Sequence, residues 1–181
     1  MKKINGFENL PEEEVVEFDN LKPGAYICCI RDVEDVFSKE YLKIKFDIVD
    51  GEKKGFFHKE DLDEWSNQGT TYRSYKDSAS KFFKAFITAI EKSNTHKNYK
   101  WDWNEKSLIG RFFVAVFGEE EYENQDGEIK IVVKCQDIRS IPALKEGKIE
   151  IPPLKKLKVR KNPAETAAYQ NQTISDDDLP F

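Results

Sequence analysis

Residues 41–48 alternate without a fault: Leu42, Ile44, Phe46 and Ile48 fall on one side of an extended chain, and Tyr41, Lys43, Lys45 and Asp47 on the other. A strand of this kind needs hydrogen-bonded neighbours on its edges and an apolar layer against one face. That demand sets the reading of everything around it. Residues 24–33 are rich in β-formers and read as a preceding strand. The turn Asp50-Gly51-Glu52 leads to a third short strand over 55–58, since Asp-Gly between apolar runs favours a hairpin. A polar loop with aromatics spans 60–76. Phe83, Phe86, Ile87 and Ile90 then recur at helical spacing, which predicts a helix over 77–93 with Asp77 or Ser78 at its start and Asn94 at its end. Strands follow over 111–117 and from 129 to about 138, with turns at Gly118 and at Asn124-Gln125-Asp126-Gly127.

Three strands, one helix and two strands suit a mainly β domain: a five-stranded Greek-key barrel of the OB type, with its helix between strands 3 and 4. The expected organisation is an acidic lead-in over 1–23, the barrel over 24–143, a basic extension over 144–161 and a disordered tail over 162–181. The extension carries seven Lys or Arg against two Glu and includes Pro152-Pro153, so it reads as extended or irregular. The tail is poor in large apolar residues and cannot bury enough surface to order itself. As a flexible coil, its stretch 162–175 spans on the order of 20 Å root-mean-square.

The net charge of −5 argues at first against a polyanion partner. The acid is concentrated at the ends: residues 1–23 hold three Lys and six acids, and 162–181 hold four acids and no Lys or Arg. The body between them carries 29 − 3 = 26 basic and 34 − 6 − 4 = 24 acidic residues. What a polyanion meets is the local field, and the body is near neutral. Nothing resembles a signal peptide or a membrane span, so a cytoplasmic protein is expected. Cys28, Cys29 and Cys135 are odd in number and badly placed for bridging, which suits free thiols. No CxxC-like pair is present and His58 and His96 lie far apart, so neither a metal nor another cofactor is expected. The chain lacks a P-loop, a GxSxG, an HExxH and a dinucleotide fingerprint, so no enzyme is expected.

Two groups of residues point to binding. The first is the polar side of the alternating strand, where Tyr41, Lys43 and Lys45 stand together. Cations neutralise phosphates and rings stack on bases, so this mixture suits a single-stranded nucleic acid. Phe57 and Lys59 would extend that face, Trp65, Tyr72 and Arg73 would close over it from the loop, and Lys130 and Lys134 would add charge from the last strand. Each has a plain alternative: a solvated strand face for the lysines, core packing for Phe57, and packing of the loop for Trp65 and Tyr72. Trp101 and Trp103 read as packing against the barrel end. The basic run from Lys155 to Lys161 either holds phosphates or holds the acidic end of the chain.

The second group is that end, Asp176-Asp177-Asp178-Leu179-Pro180-Phe181. Phe181 offers a ring and a free carboxylate on one residue, which an apolar pocket rimmed by Arg or Lys can take. The aspartates steer it toward basic surfaces, and Pro180 lowers the ordering cost. This end resembles the acidic C-terminal tip of bacterial and phage single-stranded DNA-binding proteins. The body is similar to those of phages and mobile elements of Gram-positive bacteria, through Gly24-Ala25-Tyr26, Gly51-Glu52, Gly55-Phe56-Phe57, Glu120-Glu121-Tyr122 and Asp126-Gly127. The resemblance covers most of 24–143 plus the tip. It implies a protein that coats single-stranded DNA without strong sequence preference. It also implies that the tip recruits replication, recombination or repair proteins, and it leaves a homo-oligomer open. The rival readings are an adaptor that binds proteins through an OB barrel, an RNA-binding OB domain, and a nuclease subunit.

Overall fold

The computed structural model describes residues 21–59, 64–65 and 67–157. The acidic lead-in up to Asn20, the end of the basic extension and the whole tail, with Asp176, Asp177, Asp178, Leu179, Pro180 and Phe181, lie outside the described residues. In chain order the strands are β1 (Gly24–Val36), β2 (Tyr41–Ile48), β3 (His58–Lys59), β4 (Glu64–Trp65), β5 (Thr70–Ser74), β6 (Phe112–Glu123) and β7 (Ile129–Arg139). Helix α1 (Ser80–Ser93) joins β5 to β6, and a short α2 (Ile141–Lys145) follows β7. Five strands form one antiparallel sheet in the order β5-β2-β1-β6-β7, and β3 and β4 pair separately.

The expected mainly β domain with five sheet strands and one helix between the third and fourth is present, and its sheet is open. Among the described residues no backbone ladder joins β5 to β7; the Gln68 side-chain amide, just before β5, donates to the Val133 carbonyl at 2.9 Å. Strand β1 serves two neighbours along its length. Residues 24–29 pair with β6 and residues 28–36 with β2, with a register shift between Ile30 and Asp32 that lets the long strand bend.

The third sheet strand is not where the sequence placed it. After Ile48 the chain coils through Gly51 and Gly55, both at φ near +80° (79° and 77°), instead of returning as a hairpin. The Gly55 N–H donates to the Ile48 carbonyl, and Phe57 then drops into the core, its N–H held by Asp47 Oδ1 at 3.0 Å. Asp47, assigned by alternation to the solvent side, is buried for this reason. The strand comes from Thr70-Thr71-Tyr72-Arg73-Ser74, β-branched and aromatic residues inside the stretch read as a loop.

The core lies between the inner face of the sheet and α1. Leu42, Ile44, Phe46 and Ile48 are all buried, as their alternation demands. Phe46 packs edge-on against Phe57 and Phe113 at 5.6 and 5.3 Å, and Phe57 stacks on Phe117 at 5.7 Å. Helix α1 adds its stripe of Phe83, Phe86, Ile87 and Ile90. Neither Asp77 nor Ser78 caps it; a single 3₁₀ turn over Asp77–Ala79 leads in, with Ala79 at the cap position. Asn94 does end it, and more: its Nδ2 donates to the carbonyls of Ile90 and Phe112, and its Oδ1 accepts from the Phe112 N–H. One side chain thus reproduces a strand pairing with Phe112 and fixes the helix to the start of β6.

Strands β6 and β7 run past the sheet as a long hairpin, so Glu119-Glu120-Glu121 belong to a strand and not to a turn. Beyond Phe117 the side of β6 away from β7 has left β1 behind. The basic extension covers it: Lys155 forms a parallel bridge to Glu120 through backbone bonds to Glu119 and Glu121, and its Nζ lies 3.4 Å from Glu120 Oε1. The three cysteines are free, with Cys28 and Cys29 buried. Among the described residues no helix is long and apolar enough to cross a membrane.

Candidate nucleic-acid interface

The outward face of β1, β2 and β5 is built by register. Lys43 sits between Glu34 on β1 and Tyr72 on β5, and Lys45 between Asp32 and Thr70. Tyr41, one step further, lies between Val36 and Ser74. The rings of Tyr41 and Tyr72 meet edge to face at 5.5 Å, which holds both upright beside Lys43. Tyr72 is exposed, and Tyr41, Lys43 and Lys45 are half-buried. The structure therefore brings together Tyr41, Lys43, Lys45 and Tyr72 on one open strip.

The same register brings acid to the strip, which the sequence reading did not include. Lys43 Nζ lies 3.8 Å from Glu34 Oε2, and Asp32 faces Lys45. The signal was present in the run Asp32-Val33-Glu34-Asp35, but β1 was expected to stop at Val33. With Glu34 largely solvated and the two charges 3.8 Å apart, the Lys43–Glu34 pair contributes little to stability. Its effect is on the field: two cations stand against two carboxylates, and the strip is less positive than its lysines alone suggest.

The other expected contacts divide. Phe57 has no exposed surface and belongs to the aromatic core, so its ring is not available to a base. Arg73, next to Tyr72 in an extended chain, points to the opposite side. Its guanidinium lies 5.9 Å from the Phe86 ring centre in a cleft of about 90 Å³ between β5, β7 and α1. Desolvation there lowers its pKa from the ordinary value, opposed by Cys135 and Asp137. Arg73 therefore serves the inner seam and not the open strip. Lys59 and Trp65 lie on β3 and β4, opposite Glu64 and His58. Lys130 and Lys134 lie on the far edge strand, with β1 and β6 between them and β2. Lys130 Nζ is 3.3 Å from Glu128, and Lys134 faces Gly118.

The two tryptophans of the loop after α1 part company. Trp101 packs on Phe83 at 6.2 Å, as expected of a packing residue. Trp103 is 80% exposed. Phe37, at the turn between β1 and β2, is equally open, and no periodicity or motif in the sequence marks it. Of the basic run, Lys155 is held on Glu120, and the residues after Leu157 lie outside the described residues. No group of three or more His, Cys, Asp or Glu among the described residues is placed to hold a metal ion. A strip of this chemistry can take a flexible polyanion with flat bases: lysines for phosphates and an upright tyrosine pair for stacking. Neither a scan against protein-family models nor a search of curated proteins finds a match to this chain.

Proposed function

We propose that this chain is a single-stranded DNA-binding protein that acts by holding the strand and not by turnover. The observation that carries the reading is the strip of Tyr41, Lys43, Lys45 and Tyr72 on the outward face of β2 and β5. Strand order and helix position also support an OB-type barrel, partly open at the seam between β5 and β7. In such a barrel β2 and β5 are the second and third strands, the face that takes oligonucleotides, and the turn bearing Phe37 and the loop at Asn124–Glu128 flank it. Lys43 and Lys45 neutralise phosphates, and Tyr72 offers its exposed ring to a base. The tip, Asp176-Asp177-Asp178-Leu179-Pro180-Phe181, would recruit replication, recombination or repair proteins while the barrel stays on DNA.

The acids on the strip favour one rival, an adaptor whose barrel binds a protein. The deciding experiment titrates the full chain with oligo-dT, a duplex of equal length and a matching RNA, at two salt concentrations. Single-stranded DNA should bind in preference to duplex and to RNA. Replacing Lys43 and Lys45 with Ala should weaken binding and reduce the salt slope by about 1.4, two phosphate contacts' worth on a single strand. Glu34→Gln should tighten it, because the repulsive carboxylate is gone. Preference for RNA would make this an RNA-binding domain. No response to any polymer would leave the adaptor.

A further inference from the structure

We propose that Trp103 is a second stacking platform for a nucleobase, placed where a single strand leaves the Tyr41 end of the β2–β5 face. The inference rests on the DNA-binding reading and extends it to a residue that looked like packing. Trp103 is 80% exposed and holds φ +62°, a left-handed conformation that a bulky side chain rarely adopts. A buried Trp would repay such a backbone through packing; this one presents its ring to solvent.

Behind it runs a continuous series of rings. Trp103 leans on Trp101 at 6.2 Å, Trp101 on Phe83 at 6.2 Å, and Phe83 on Tyr75 at 6.1 Å. Tyr75 directly follows Ser74, the β5 partner of Tyr41. Its N–H donates to the Glu40 carbonyl and its hydroxyl to Asp35. The series therefore starts just past the end of β5, on the core side with Phe83, and finishes at the exposed indole. Trp103 is braced from below and open above, the arrangement a stacking platform needs. Stacking accepts any base, which fits binding without sequence preference.

One charge nearby suits the same ligand. The Lys100 side chain is 81% exposed and lies 3.4 Å from Glu91, which is 24% exposed and also accepts the Trp101 N–H, so the lysine end of the pair is open to a phosphate. Asp102, the acid nearest in sequence, is already engaged: its Oδ1 accepts from the Asn104 N–H and the Ser107 hydroxyl.

The test uses the full chain with Trp103→Gly and Trp103→Phe. Affinity is measured by anisotropy for labelled dT oligomers of about 4 and about 16 nucleotides, the limits of what one OB barrel covers. Trp103→Gly should weaken binding of the longer oligomer by about 5- to 100-fold and leave the shorter one within about twofold, since one stacked base is lost. Glycine accepts the left-handed backbone, so Tm should hold or rise, and Trp103→Phe should restore most of the affinity. If the wild-type chain binds the longer oligomer and Trp103→Gly binds it equally well, the proposal is overturned while DNA binding stands. A lower Tm with equal losses for both oligomers would make Trp103 a packing residue, and a partner protein as its ligand would show the same unchanged DNA affinity. If the wild-type chain binds neither oligomer, the DNA-binding reading itself has failed.

Discussion

Cys135 shows how one residue's surroundings set its chemistry. Burial pushes its thiol up to about 11, against a downward pull from Arg73 and a further push from Asp137. Cys28 is likewise raised well above its ordinary value, first by burial and then by Cys135. Both should resist iodoacetamide near pH 8 in the native protein and react on unfolding. The folded pKa is raised, so the linked stability is fully present below pH 9, the ordinary thiol value, and is lost as pH rises from 9 to 11. For Cys135 the loss is on the order of 3 kcal/mol at most. Denaturant midpoints measured across that window should fall, and Cys135→Ala should flatten the fall; an equal fall in the variant would show that Cys135 does not carry it and leave Cys28 as the thiol responsible. At this scale the sequence was legible where alternation ruled, as at Ile44 and Phe46. It misled where one side chain answers to a distant backbone. Nothing in the local pattern says that Asp47 must receive the Phe57 N–H, so alternation alone places Asp47 outward and leaves Phe57 open between the binding face and the core.

Among the elements, α1 was readable because its stripe is a period that only a helix satisfies. Strand β5 was not, because five residues of Thr, Tyr, Arg and Ser carry no apolar run, and their place in the sheet depends on pairing with β2. The Asp-Gly hairpin signal failed for a related reason: Gly55 supplied a second left-handed turn and carried the chain away. What the sequence marked only as a helix stop, Asn94, is the joint between two elements. Asn94→Ala would leave the N–H and carbonyl of Phe112 without partners and should cost on the order of 3 kcal/mol. Urea denaturation followed by far-UV circular dichroism measures it. A loss below about 1 kcal/mol would mean that the start of β6 is held by its pairing with β1 and not by this side chain.

For the whole molecule, the sheet's two edges meet at a seam with no ladder among the described residues, fastened at Gln68 and Val133. Edge amides without strand partners open most easily. Native-state hydrogen exchange should therefore be fastest along β5 and the outer side of β7, and slowest where β1 pairs with β2 and β6. Gln68→Ala should speed exchange at the seam and leave β1 unchanged; a uniform increase would show that the seam and the rest open as one unit. The barrel expected from strand order required a β5–β7 ladder, a long-range feature that no local pattern encodes. Separation of strip from seam was equally hidden, since Tyr72 and Arg73 are adjacent in sequence and face opposite ways.

The bridge from Lys155 to Glu120 sets a fixed point of departure. Whatever follows Leu157 starts its path from the β6–β7 hairpin, where the Leu157 N–H meets Glu121, and not from β2 or β5. Under the proposed function the Asn124–Glu128 loop of that same hairpin flanks the nucleic-acid face, so a strand held there lies beside the element on which Leu157 is anchored, and binding at one is within reach of the other.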